Sequence, residues 1–208
     1  MASSDLDLLS AWRRGDPVAG EALFERHYAK ISRFFFNKAR EEDAADLIQK
    51  TFLRCVERHT TKGSDTDFGA FLFGIARNVL LEYYRRKHRQ DGPLEFAAAS
   101  LEALDPTPSS VLGHRREARI LLQALRRIPI EMQVVLELYM FEGLQGREIS
   151  QIVGAPLPTV RTWIRRSKQL LQTQVDRLTR NPALRESTMT DLDQWIEEIR
   201  IQVADKTP

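Results

Sequence analysis

From Leu23 to Arg89 the chain carries no proline, and its only glycines there are Gly63, Gly69 and Gly74. Short alternating runs of strand formers are nearly absent, whereas apolar residues recur at spacings of three and four. Leu23, Phe24, His27, Tyr28, Ile31, Phe34 and Phe35 make one such stripe. Leu47, Ile48, Thr51, Phe52, Cys55 and Val56 make a second, and Phe71, Leu72, Ile75, Ala76, Val79 and Leu80 a third. A chain so patterned has few options besides packed helices. The spacing predicts helices over roughly 20–39, 42–59 and 67–88 after a short one near 5–14, with Asp16-Pro17 suited to a helix start.

The texture changes at Gln90. Residues 90–112 hold three prolines, four acids and no Lys or Arg, and read as an acidic flexible linker. Extended, such a segment reaches about 75 Å. A second helical block follows over 113–178. Ile120, Leu121, Ala124, Leu125 and Ile128 share one face; Pro129 ends that helix or opens the next, which carries Met132, Val135, Leu136, Leu138 and Tyr139 and closes at Gly143. Two helices near 146–153 and 158–178 complete the block. In the extension 179–208, Leu192, Trp195, Ile196, Ile199 and Val203 form one apolar stripe after Thr190, predicting an amphipathic helix at about 191–204. The expected fold is all-α: two helical domains, 1–89 and 113–178, a flexible linker, and a C-terminal helix.

A single cysteine rules out an intramolecular disulfide. No apolar run approaches the roughly 18 residues of a membrane span. The N-terminus lacks a basic segment followed by an apolar one. The expectation is a cytoplasmic protein without membrane insertion. With 31 basic against 29 acidic residues the net charge is only +2, so the placement of charge must identify any nucleic-acid surface.

Two segments concentrate that charge. In Gly146–Leu171, Ile149, Ile152 and Val153 form one face of a short helix, Gly154 suits its left-handed end, and Pro158 suits the first turn of the next. Val160, Trp163 and Ile164 then face inward, while Arg161, Thr162, Arg165 and Arg166 face outward. This is a helix-turn-helix pattern, whose second helix enters the major groove. Arg pairs bidentately with guanine, and Thr contacts bases or phosphate. The other segment, Arg77 to Gln90, holds five Arg or Lys and one acid, with Tyr83 and Tyr84 among them and Phe71 and Phe73 upstream. Cations mixed with aromatic rings suit unpaired DNA. A helix C-terminus rich in cations that complement the dipole would carry the same residues.

Together, DAADLIQKTFLRCVERH, FGAFLFGIARNVLLEYYRRKHR and the Ile128–Leu171 segment resemble a small sigma factor of the sigma-70 family, extracytoplasmic-function (ECF) group. The resemblance runs from about Asp7 to Leu178. It implies a non-enzymatic initiation factor that docks on core RNA polymerase, through the β′ and β subunits, and directs it to promoter DNA. It assigns core binding to Asp43, Asp46, Leu47, Gln49, Lys50, Phe52 and Leu53. It assigns recognition and melting of the −10 element to Phe71, Arg77, Asn78, Arg85, Arg86, Lys87 and Arg89, with the loop at about 60–67 holding a flipped base. Thr159, Arg161, Thr162, Arg165 and Arg166 match the helix that reads the −35 element. The linker's reach suits elements lying roughly 50–70 Å apart, one and a half to two turns of DNA.

The docking helix departs from the family pattern. Where family members commonly resemble DAEDLVQE, this chain has Ala45 and Lys50, so one charge is missing and one reversed. Phosphorylation adds about −1.5 to −2 charges, which makes Thr60, Thr61 and Thr51 candidate sites for restoring that charge through a Ser/Thr kinase. An anti-sigma protein is the alternative controlling partner. The acidic tail helix either caps the second domain, folds onto its basic helix or docks a regulator. Competing readings are a helix-turn-helix regulator acting without polymerase, and a sigma-like interaction protein. His27, His59, His88 and His114 lack metal-ligand spacing, Cys55 and His59 together make too small a ligand set, and no phosphate loop, nucleophile elbow or dinucleotide fingerprint occurs. The sequence predicts no enzyme activity, metal or cofactor.

Overall fold

The computed structural model describes residues 3–35, 38–60, 67–87, 100–101 and 116–179, the side chains of 116–118 aside. The extension beyond Thr179, most of the linker, Arg89, Thr61 and most of the 60–67 loop lie outside the described residues.

Helix α1 spans Asp5–Arg13. Ser4 caps it: its hydroxyl accepts from the Asp7 amide at 3.2 Å, and the Asp7 carboxylate accepts from the Ser4 amide at 3.1 Å. Gly15, at φ 101°, turns the chain into α2, Pro17–Phe35. That helix starts three residues earlier than its apolar pattern predicts. The reason is the Asp16 carboxylate, which accepts from the Val18 amide at 3.0 Å, with Pro17 at a position needing no donor. Its described span closes at Phe35, and the chain has left the helix by Lys38, whose amide, like that of Ala39, reaches back to the Phe35 carbonyl at 3.0 Å. Helices α3 (Glu41–Arg58) and α4 (Phe68–Lys87) match the predicted spans to within a residue. Asp67 caps α4 by accepting from the Ala70 amide at 2.7 Å.

The second block holds α5 (Arg116–Arg126), α6 (Ile130–Met140), α7 (Gly146–Val153) and α8 (Leu157–Leu178). Pro129 separates α5 from α6. Gly154 stands at φ 68°, the left-handed end expected for α7, and its amide reaches the Ser150 carbonyl at 3.0 Å.

The first core gathers Leu23, Phe35, Leu72, Leu80 and Tyr84 from α2 and α4, all fully buried. Each such side chain contributes about 1.5–3 kcal/mol by leaving water. The second, smaller core joins α5, α6 and α8 through Leu121, Leu125, Leu136, Leu171 and Val175. The sequence suggests two separate bodies, but the first core continues into the second block through Ile130, Val134, Ile149, Ile152 and Val160. α4 lies against α7 so closely that a Cβ on Gly74 would stand 3.8 Å from the Ile152 carbonyl oxygen. Leu101, within the segment read as linker, is completely buried in this core, and its neighbour Ser100 bridges to Pro129. Among the described residues no helix is long and apolar enough to cross a membrane.

Candidate functional site

Three surfaces bring the predicted residues together. The first is the turn between α7 and α8. Val160 is fully buried and Trp163 and Ile164 pack on the core, which leaves Arg161, Thr162, Arg165 and Arg166 pointing into solvent from the first three turns of α8. Thr159 is half-buried. The Ser150 hydroxyl donates to the Ala155 carbonyl at 2.5 Å and fixes the turn. The Ser167 hydroxyl lies 2.6 Å from the Trp163 carbonyl and 3.1 Å from that of Met132, tying α8 to α6. The Thr162 hydroxyl donates to the Pro158 carbonyl at 3.0 Å, which leaves its lone pairs for an outside donor. This is a rigid helix-turn-helix with a cationic outer face and no acid on that stretch of α8.

The second surface is α4. Asn78, Arg85, Arg86 and Lys87 are exposed, and the last three complete its final turn. Phe71 is buried and serves the core, so it presents no ring to a strand in this conformation. Tyr84, fully buried, donates from its hydroxyl to the Lys38 carbonyl at 2.5 Å. Tyr83 reaches across to α3, its hydroxyl 2.7 Å from the Asp43 carboxylate. Arg77 is drawn away from solvent: its guanidinium meets Glu131 of α6 at 3.0 and 2.5 Å.

The third surface is α3. Asp46, Gln49 and Leu53 are exposed and Lys50 is half-buried, whereas Leu47 is buried and belongs to the core. Phe52 is half-buried against Phe24 and Tyr28. Lys50 forms an ion pair with Asp46 one turn back. The reversed charge therefore also occupies one of the acids that remain. Glu41 and Glu42, in the first turn, add two acids beside Asp43, where the helix dipole favours them. The spacing pattern overlooked them because they precede the matched motif. A cleft of about 420 Å³ runs between α3 and α4, with Arg40, Lys50, Arg54, Arg86 and Lys87 on its walls. Arg54 clasps Glu82 there at 2.8 and 2.6 Å; this hydrogen bond is what chiefly holds the Glu82 carboxyl below its usual range.

The threonines divide sharply. Thr60 is exposed directly after α3. Thr51, by contrast, is completely buried with its hydroxyl on the Leu47 carbonyl at 2.8 Å. It is corrected from candidate acceptor to core residue, since no kinase reaches it without unfolding α3. Cys55 is likewise fully buried, and burial pushes its thiol up to about 12, which leaves it a thiol rather than a nucleophile. His59 stacks on Trp12 with ring centroids 3.8 Å apart and directs Nδ1 at the Val56 carbonyl. His27 pairs with Asp5 at 2.6 Å.

Comparison with known proteins covers both blocks. The family described as Sigma-70 region 2 matches residues 23–90, and that described as Sigma-70, region 4 matches residues 118–171. The chain is similar to the ECF RNA polymerase sigma-E factor of Haemophilus influenzae, 22% identical over 183 residues, covering 84% of this chain and 97% of that protein. It is also similar to the ECF RNA polymerase sigma factor SigE of Mycolicibacterium smegmatis, 30% identical over 156 residues, covering 73% of this chain and 60% of that protein. Two solved structures share the fold. CnrH in complex with the cytosolic domain of CnrY aligns with a TM-score of 0.61 at 22% identity, over 84% of this chain and 99% of that one. The sigma factor RpoE of Bartonella quintana, in complex with the anti-sigma factor NepR, aligns with a TM-score of 0.60 at 18% identity, over 75% and 96%.

Proposed function

The chain belongs to the sigma-70 family of RNA polymerase sigma factors, in its ECF group, and on that premise we propose how its surfaces divide the work of initiation. Members of this family are non-enzymatic. α8 reads duplex −35 DNA through Arg161, Thr162, Arg165 and Arg166. α4 engages the −10 element through Asn78, Arg77, Arg85, Arg86 and Lys87. α3 docks on the β′ subunit of core polymerase through Asp43, Asp46, Gln49, Lys50 and Leu53. The observation that carries the reading is the pair of basic surfaces, one on a rigid helix-turn-helix and one on a separate aromatic helix. Duplex binding alone needs only the first.

The docking surface explains a need for control. Asp46 is paired with Lys50 and Asp43 accepts from Tyr83, so the acids of α3 are partly engaged before any partner arrives. A phosphate on Thr60 or Thr61 would add negative charge beyond the C-terminal end of α3, which lies about 12 Å along the helix axis from Lys50. The alternative controlling partner is an anti-sigma protein, the kind of partner named with the RpoE structure. Binding of core polymerase by the unmodified chain and by Thr60→Asp/Thr61→Asp separates the two. A gain in affinity on acidic substitution supports control by phosphorylation, and unchanged affinity removes that support. Run-off transcription tests the whole assignment.

A further inference from the structure

Helix α5 is buried around more of its circumference than a surface helix needs. From Arg119 to Arg126 only Arg119 and Gln123 are exposed. Ile120, Leu121, Leu122, Ala124, Leu125 and Arg126 are each at or below 8% exposure. At 3.6 residues per turn these six span an arc of roughly 240°. A helix facing one core turns a stripe of about 100° or somewhat more toward it. Leu121 and Leu125 share a core with Leu136 of α6 and with Leu171 and Val175 of α8. Leu122 and Arg126, one turn apart, stand about 100° further round the helix, on a flank of their own.

The sequence holds a second amphipathic surface that fits this flank. α8 ends at Leu178, and Thr179, extended at φ −134° and ψ 131°, is only 5% exposed, so the chain leaves α8 against protein. Further on, Leu192, Trp195, Ile196, Ile199 and Val203 form a stripe about 100° wide, with Asp191 and Glu198 along one edge and Asp193 and Glu197 along the other. The α5 segment has the opposite charge: residues 114–127 hold five arginines and one acid, Glu117. Residues 180–190 reach up to about 36 Å when extended, against about 17 Å for the whole of α5. The outer face of α8 is a poorer seat, since Arg161, Thr162, Arg165 and Arg166 offer charge without an apolar floor for Trp195. Residues 102–115 carry acids too, but Pro106 and Pro108 interrupt them and their apolar residues form no such stripe.

We infer that the segment 191–204 docks as a helix on the Leu122–Arg126 flank of α5, its carboxylates toward the arginines of that helix, and completes the second helical unit. The C-terminal extension is then a structural part of the unit that carries the helix-turn-helix. It leaves Arg161, Arg165 and Arg166 uncovered, because these lie on the first half of α8, whereas α5 shares its core with Leu171 and Val175 on the second half. The seat is a property of the chain alone; only the meaning of the uncovered arginines rests on the −35 assignment.

Proximity and amide exchange in the full chain test this. Cys55 is buried and stays a thiol, so cysteines placed on the surface react alone. Arg119→Cys, combined with Glu197→Cys or with Glu198→Cys on the other edge of the stripe, should give an intramolecular product with a short bis-maleimide in at least one pairing. Arg161→Cys with the same partners should give none. Trp195→Asp/Ile199→Asp should speed amide exchange in α5 by about tenfold or more, as the loss of two buried apolar side chains requires. Exchange in α7 and affinity for −35 duplex should stay as in wild type. An intramolecular product with Arg161→Cys, or tighter duplex binding by Trp195→Asp/Ile199→Asp, would put the segment on the DNA face and overturn the inference. Products only between chains, or α5 exchanging in the variant as in wild type, would overturn it as well and give the flank to a second copy or to residues 102–115. If no form binds promoter duplex, the −35 assignment falls, and cross-linking and exchange still decide the seat.

Discussion

Lys38 is wholly withdrawn from solvent, and its ammonium group is paired with the carboxylate of Glu137, a residue 99 positions later in the chain. The pair joins the turn after α2 to the middle of α6. The Phe34 ring lies 4.6 Å beneath the ammonium, and the Gln133 amide donates to the same carboxylate at 2.7 Å. Burial pushes the Glu137 carboxyl up, while the Lys38 charge and its hydrogen bond pull the other way. Removing one member strands a buried charge, which typically costs about 3–5 kcal/mol. Lys38→Ala and Glu137→Ala should each lower the urea midpoint strongly. Lys38→Met/Glu137→Leu, which removes both charges while keeping volume, should recover most of the loss.

Acid should weaken the first unit through His27. Its ring is buried among α1, α2 and α4, and a Cβ on Gly69 would stand 3.3 Å from its Cε1. Desolvation holds its pKa below the usual 6.5, although the hydrogen bond to Asp5 acts in the opposite direction. The unfolded chain therefore takes up the proton first, so stability is full above about pH 6.5 and falls as the pH drops through the folded value. Asp5 adds a lower step. Burial raises its carboxyl, but the hydrogen bonds from His27 and Arg26 outweigh that and leave it below its usual 3.8. Its contribution is lost only in stronger acid. Urea unfolding at pH 7.5 and 5.5 should show the first loss, and His27→Gln should flatten it.

Substitutions on the outer face of α8 should change DNA affinity and not stability. A bidentate base contact is worth about 1–3 kcal/mol, so Arg161→Ala/Arg165→Ala should weaken −35 duplex binding by about fivefold or more. Each lost phosphate contact should also lower the salt slope by about one. Anisotropy titrations at several salt concentrations give both readouts. An unchanged melting temperature would show that the exposed arginines hold nothing together.

Much of this was legible in sequence because it rests on local rules. The spacing of Leu47, Thr51 and Cys55 specifies a helix face whatever surrounds it, and Gly154 marks a turn that needs φ above zero. The inward and outward residues of α8 separate by the same periodicity. What the sequence hid depends on distant partners. Lys38 follows an aromatic run and reads as an ordinary solvated cation until Glu137 is placed beside it. Arg77 reads as a DNA contact, since nothing local announces Glu131. Phe71, Leu47 and Thr51 are also assigned to binding or modification, but their place in the apolar stripes already sets them on inward faces, and all three are buried. The approach of α4 to α7 depends on surfaces that no pattern within either helix encodes.

The ion pair between Lys50 and Asp46 yields a prediction for polymerase docking. Both side chains are about half exposed, and an exposed pair is worth about 0.2–1 kcal/mol. Lys50→Glu releases Asp46 and adds an acid to the same face. It should tighten binding to core polymerase by about two- to fivefold, with helical content unchanged. Surface plasmon resonance against immobilised core enzyme, at low and high salt, would report the gain and its screening.

Reconstituted transcription tests the central claim most directly. Core RNA polymerase is incubated with a promoter library and the full chain, as wild type, as Lys50→Glu and as Thr60→Asp/Thr61→Asp. Discrete run-off transcripts are expected that require the chain, start downstream of a shared pair of sequence elements, and vanish with Arg161→Ala/Arg165→Ala. Absence of chain-dependent transcripts from all three forms, together with failure of each to co-elute with core polymerase, would contradict it.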